Sequence, residues 1–236
     1  MSENAFAAVE FAANPERRCP VVLVLDTSGS MDGDPIRRVN EGIRTFEEQI
    51  RANTLAALRV EVAVVTFGGT AQVMDIRGGS ETPDAEAAFV TIDNFQAPTL
   101  HAGGQTPMGE AVRLALRLLR DRKNIYQSSG ISYYRPWLML ISDGVPTDNQ
   151  WEQAAMDAVA EEQRNGVSVF PVAVDSTALP VLQRFSAKQP PLQLQDVKQF
   201  DELFSWLSDS LSAIANSQPG EQVPLPSPGG WAVFQP

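Results

Sequence analysis

Apolar residues run through this chain in two alternating rhythms. VVLVL (21–25), LRVEVAVVTF (58–67), WLMLIS (137–142) and VSVFPVAV (167–174) are nearly continuous apolar runs, all but WLMLIS rich in β-branched residues. That is the pattern of strands covered on both faces. Between the runs, apolar positions recur every three or four residues: Ile36, Val39, Ile43, Phe46 and Ile50, then Met108, Val112, Ala115, Leu116 and Leu119. A third such set is Phe200, Leu203, Phe204, Leu207, Leu211 and Ile214. Each set is one stripe of an amphipathic helix. Asp34-Pro35 and Thr106-Pro107 read as cap-then-proline starts for the first two. Trp151 to Arg164 reads as a further helix, stopped by Asn165-Gly166.

Shorter elements fill the gaps. TAQVMDI (70–76), folded back by Gly68-Gly69, predicts an antiparallel edge hairpin. RGGSETPDAEAA (77–88) reads as a loop, followed by a short strand around Phe89–Ile92. Thr177 to Lys188 reads as a shorter helix and PLQLQDV (191–197) as a last strand. Strands alternating with helices predict an α/β fold: a doubly wound, mostly parallel six-stranded sheet with one short antiparallel edge strand and helices on both faces.

The rhythm stops near Gln218. QPGEQVPLPSPGGWAVFQP carries many prolines and a single charge, so it reads as an extended tail. Its apolar end, Trp231, Val233 and Phe234, is expected to dock on the chain's own domain or to serve as a peptide ligand. The expected division is an N-terminal extension (1–16), one domain (17–216) and a Pro/Gly-rich tail (217–236).

Composition narrows the function. The net charge is −11 with no basic run, which argues against nucleic acid or an anionic membrane as partner. No stretch approaches the ~18 apolar residues of a membrane span. The start, MSENAFAAVEFAANPERR, lacks a basic segment followed by an apolar one, so a cytoplasmic protein is expected. The single cysteine, Cys19, permits no internal disulfide and no thiolate zinc cluster.

Two of the apolar runs end on an acid. VVLVL empties into Asp26-Thr27-Ser28-Gly29-Ser30, and WLMLIS into Asp143. Thr106 lies in HAGGQTPMGEA, a glycine-rich loop that opens a helix. In an open parallel sheet, ligands gather beyond the carboxyl ends of strands where the chain order reverses. If the first strand neighbours WLMLIS there, Asp26 and Asp143 end a few Å apart and call for a cation. Hydroxyls and carboxylates without His or Cys form a hard oxygen set, suited to Mg²⁺, with Mn²⁺ or Ca²⁺ as alternatives.

Asp26-x-Ser28-x-Ser30, Thr106 and Asp143, in the contexts DTSGSM, GGQTPMGEA and LISDGVPTD, resemble the metal-ion-dependent adhesion site of von Willebrand factor type A (VWA) domains. The resemblance covers roughly residues 17–216. NPERRCPVVLVLDTSGSM and the Pro-rich, Trp-containing end are similar to the branch encoded with bacterial tellurium-resistance genes, sometimes called TerY-like. The resemblance implies that Ser28, Ser30 and Thr106 reach a metal directly or nearly so, while Asp26 and Asp143 act largely through waters. It further implies that a protein partner supplies an Asp or Glu to the remaining position. By analogy, a protein kinase and a Ser/Thr phosphatase are expected beside such a scaffold in a stress response.

Blander roles are expected for the surrounding residues: solvated loop charges for Asp32 and Asp148, a surface position for His101, and packing for Trp137 and Trp151. A Mg²⁺-dependent phosphohydrolase using Asp26 is the competing function. Such enzymes generally want a second acid two residues on, where this chain has Ser28, and a lysine near the phosphate. With His101 as the only histidine, no Ser/His/Asp set is available, and no phosphate-loop motif is present.

Overall fold

The computed structural model describes residues 11–78, 87–218, 221, 223–227 and 232–234. Strand β1 (Cys19–Asp26) lies between β2 (Val60–Gly68) and β5 (Trp137–Ser142), parallel to both. β6 (Ser168–Ala173) and β7 (Leu192–Leu194) extend the parallel sheet beyond β5, in the order β2-β1-β5-β6-β7. Because strand side chains alternate between faces, β1 divides its apolar residues between two cores. Val21, Leu23 and Leu25 join one, packed under helices α1 (Asp34–Ala52) and α6 (Phe200–Ala215). Val22 and Val24 join the other, under α3 (Met108–Ser128) and α4 (Trp151–Gln163). The expected doubly wound sheet with helices on both faces is therefore observed.

The edges differ from expectation in count. Among the described residues the sheet has eight strands where six are expected, and three of them are antiparallel. The expected edge strand β3 (Thr70–Val73) covers only the upper half of β2, stopping before Asp75. The lower half, Glu61 and Val62, is paired by β4 (Val90–Thr91). At the far edge the tail returns: β8 (Ala232–Phe234) runs antiparallel to β7, with Gln193 opposite Val233. Trp206 Nε1 also donates to the carbonyl of Pro226 at 2.7 Å. Both additions cover backbone that would otherwise be an open sheet edge. The side chains of Val233 and Phe234, all of Trp231, residues 1–10 of the extension and residues 79–86 of the expected loop lie outside the described residues.

Three boundaries shift for local reasons. The start of LRVEVAVVTF is helical, in α2 (Thr54–Arg59), because the Asn53 side chain accepts a bond from Ala56 N and caps a new turn. Asp34 lies inside the first turn of α1 with Gly33 at the cap position, φ 84°. The helix expected over 177–188 contracts to α5 (Leu179–Leu182) behind a 3₁₀ turn at Ser176–Ala178. Beyond it the buried Glu162 carboxylate accepts from Ser186 Oγ, Ala187 N and Lys188 N, which holds that segment away from helical geometry. Among the described residues no helix is long and apolar enough to cross a membrane.

Cys19 opens β1 fully buried, and burial, with the Glu61 charge adding, pushes its thiol up to about 12. A protonated thiol without solvent contact is a poor nucleophile. An aromatic disulfide reagent should therefore leave the native chain unmodified at pH 8 and titrate one thiol after denaturation. Rapid native labelling would show that β1 frays. Because folding holds the proton, this thiol also costs stability as the pH climbs from the ordinary value near 9.0 towards about 12.

Candidate functional site

The strand order places the reversal between β1 and β5. From β1 the chain crosses to β2 on one side, whereas β5, β6 and β7 follow on the other. The loops leaving β1 and β5 therefore diverge and open a crevice at the carboxyl ends. Leu25 pairs with Ile141, so Asp26 and Ser142 are level one step later.

Asp26 is buried and both of its oxygens are engaged. Oδ1 accepts from Ser28 N at 2.8 Å, and Oδ2 accepts from Ser142 Oγ. The first bond is an Asx turn, which bends the chain immediately after the strand. A 3₁₀ turn at Gly29–Met31 continues the bend. It carries Ser30 Oγ to 3.1 Å from Ser28 Oγ and lets it donate to Asp143 Oδ1 at 2.8 Å. Ser142, Asp26, Ser28, Ser30 and Asp143 are thus one hydrogen-bonded chain, buried at Asp26 and exposed at Ser30.

Thr106 is joined to that chain through backbone. Gly29 N donates to Gly104 O at 3.0 Å, Gly103 N to Thr27 O at 2.8 Å and Gly69 N to Gln105 O at 2.8 Å. Thr106 N donates to Thr147 Oγ1 at 3.0 Å, and Thr147 N donates back to Thr106 O at 2.9 Å. The buried threonine is therefore clamped between the β1 and β5 loops.

Two expectations need correction. Thr106 does not cap α3, which begins at Met108 with Pro107 in the cap position. The cap comes from Asp148, whose carboxylate accepts from Gly109 N at 2.8 Å and Gln150 N at 2.9 Å. Asp148 is thus a clamp between loop and helix rather than a solvated charge. Asp32 and His101 are exposed, as expected. Reading the sequence overlooked Ser142 and Thr147, together with Thr177, whose Oγ1 donates to Asp143 O at 3.3 Å. The signal for Ser142 was a lone hydroxyl closing an apolar strand; the other two carried none.

Electrostatics leave this site short of positive charge. Burial raises the Asp26 carboxyl above its ordinary range, bonds from Ser142 and Ser28 oppose the rise, and the Asp143 charge adds to it. Asp143 is raised as well, by burial first, with the Asp175 charge adding. Among the described residues no ion pair links either acid to a Lys or Arg. A cation between the two would reverse the balance.

The donor set fits such an ion. Every donor is a hard oxygen, and the 3.1 and 2.8 Å separations along Ser28, Ser30 and Asp143 match the ~3 Å edge of an octahedron with metal–oxygen bonds of about 2.0–2.1 Å. No group of three or more His, Cys, Asp or Glu side chains gathers for a metal among the described residues. An ion here would thus be held by hydroxyls at least as much as by carboxylates.

The family model of the von Willebrand factor type A domain matches residues 21–206. The chain belongs to this family. Inter-alpha-trypsin inhibitor heavy chain H4 of Sus scrofa is 24% identical over 173 residues, covering 70% of this chain and 16% of that protein. The SpaC pilus adhesin of Lactobacillus rhamnosus GG shares the fold with a TM-score of 0.59 at 15% identity, over 84% of this chain and 31% of that one. Proximal thread matrix protein 1 of the mussel byssus matches with a TM-score of 0.53 at 15% identity, over 82% of this chain and 48% of that one. This VWA chain therefore spans less than half the length of each of these three, and the two solved structures bear on its fold alone.

Proposed function

We propose that this VWA chain is a non-enzymatic protein-binding module that takes an acidic side chain of its partner through Mg²⁺ or Mn²⁺. The observation that carries the reading is the hydroxyl–carboxylate chain from Ser142 to Asp143, closed at Asp26 and open at Ser30. Ser28, Ser30 and Thr106 would hold the ion, and Asp26 and Asp143 would neutralise most of its charge. The bound ion would supply a Lewis-acidic position for a carboxylate oxygen, with Ca²⁺ a third ion the donors accept.

The protein's own residues do the rest. Asp26 is buried, and Ser142 and the Ser28 amide each hold one of its carboxylate oxygens, so neither stands open to an approaching phosphate. That enclosure supports binding over the phosphohydrolase reading. Gly29, Ser30, Gly103, Gly104 and Gln105 form an exposed rim on which a partner loop can rest. The likeness of the first strand and the tail to the tellurium-resistance-associated branch extends the proposal to a cytoplasmic scaffold in a stress response, working with a protein kinase and a Ser/Thr phosphatase. That extension rests on sequence resemblance alone.

The test is Mn²⁺ binding, followed by water-proton relaxation with acetate present, for wild type, Ser30→Ala and Asp143→Ala. Circular dichroism would confirm that all three are folded. Saturable binding in wild type and at least tenfold weaker binding in both variants is expected. Equal weak binding in all three would trace it to the acidic surface and end the proposal. Mg²⁺-dependent turnover of an aryl phosphate, abolished by Asp26→Asn, would replace it with the phosphohydrolase.

A further inference from the structure

Away from the crevice, the outer faces of α3 and α4 enclose a groove of about 280 Å³. Its walls carry Arg113, Arg117 and Arg120 from α3 and Arg164 from just beyond α4, facing Asp157 and Glu161. The first three follow one another at helical spacings of four and three, so they stand in a row on one face, spanning about 10 Å along the axis. Four guanidiniums against two carboxylates leave this patch positive on a chain of net charge −11.

Elsewhere on the surface, four arginines are answered by acids, whereas Arg44, Arg135 and Arg184 stand singly rather than in a row. Arg37 and Arg38 pair with Glu41, Arg51 with Glu47 and Arg59 with Glu16. In the groove the pairing is incomplete. Glu161 serves Arg164 at 2.8 Å and Arg120 only at 3.9 Å, and both arginines remain over 60% exposed. Arg113 donates to the Gln150 side chain. Arg117 is exposed and has no hydrogen-bond or ion-pair partner among the described residues.

We infer that this groove is a second docking surface, for a strip of closely spaced carboxylates on a partner protein. Arginine forks grip carboxylates two bonds at a time, which makes such a row selective as well as attractive. The arrangement of the charges chooses the occupant. An extended segment advances about 3.3 Å per residue and presents alternate side chains every ~7 Å, which suits guanidiniums strung along ~10 Å of helix. A single compact anion would engage one end of the row. This surface needs no metal and acts independently of the crevice.

The test is fluorescence anisotropy of a fluorescein-labelled octaglutamate against the full chain. It is run in EDTA, so that the metal site cannot contribute, and at about 20 mM salt, where surface charges are weakly screened. General electrostatics repel this probe from so acidic a chain, so binding requires a local patch. Saturable binding is expected, weakened at least tenfold by Arg117→Glu/Arg120→Glu. The same charge change on α1, Arg37→Glu/Arg44→Glu, should alter it no more than twofold. No binding by wild type, or equal losses in both double variants, overturns the inference. So does tenfold preference for a phosphoserine peptide through the same arginines, which would make the occupant a phosphorylated segment.

Discussion

Glu61→Ala is expected to cost about 3–5 kcal/mol of folding stability. Glu61 is fully buried at the start of β2, between two buried arginines. Its Oε1 lies 2.6 Å from Arg18 Nε, in ion-pair contact without the alignment of a hydrogen bond. Arg122 donates to both oxygens at 2.9 Å, and Tyr126 Oη donates to Oε2. The Phe11 ring covers both guanidiniums, 5.1 Å from Arg18 and 5.4 Å from Arg122.

Removing the carboxylate takes from Arg18 and Arg122 the anion they share, in a place water cannot reach. For a chain of this size the loss amounts to a fall in melting temperature of roughly 6–20 °C. Glu41→Ala, at the exposed pair with Arg37, should leave the melting temperature unchanged. Glu61 sits roughly 23 Å along β2 from the crevice, so the folded fraction should keep its Mn²⁺ affinity. A melting temperature within a degree of wild type would show that the cluster is not needed for the fold.

Gly104→Ala carries the second large effect, because it strikes fold and site together. Gly104 has φ 78°, and a Cβ there would lie 2.5 Å from Gly69 N and 2.7 Å from Gly69 Cα. Neither backbone atom can turn aside as a side chain would. The loop must lift, straining the Gly29 N–Gly104 O bond that ties the Thr106 loop to the turn carrying Ser28 and Ser30. The expected cost is about 1–3 kcal/mol, with Mn²⁺ affinity down at least tenfold. Gly103→Ala is the internal control, since a Cβ there meets nothing within 4 Å and φ is not positive. Parallel melts and Mn²⁺ titrations decide the matter. Wild-type values for Gly104→Ala would show that this backbone contact does not position Thr106.

The apolar runs of β1, β5 and β6 and the stripes of α1, α3 and α6 were legible along the chain. Their periodicity is a local property, set by which faces must be buried. WLMLIS (137–142) proved to be β5 residue for residue, because both its faces are covered and it ends on polar residues. The short elements were harder. β4 fell inside the strand expected around Phe89–Ile92 but is only two residues long, whereas the three residues of β8 are too few to show a period and pair because β7 offered a free edge.

The candidate site divides in the same way. The sequence by itself determined which oxygens are present: Asp26, Ser28 and Ser30 lie close enough along the chain for one Asx turn to gather them. Only the tertiary structure decided that Ser142 would lock Asp26, that Thr147 would clamp Thr106, and that Asp148 would cap α3. Those bonds span between 39 and 116 residues of chain. The first follows from the register of β1 on β5, and the other two from the start of α3 lying against the loop after β5. The arginine row on α3 was likewise present in the sequence, but its fourth member and its two carboxylates came from the packing of α4 alongside. Local chemistry is written in spacing, whereas the partners of a buried polar group are chosen by strand order.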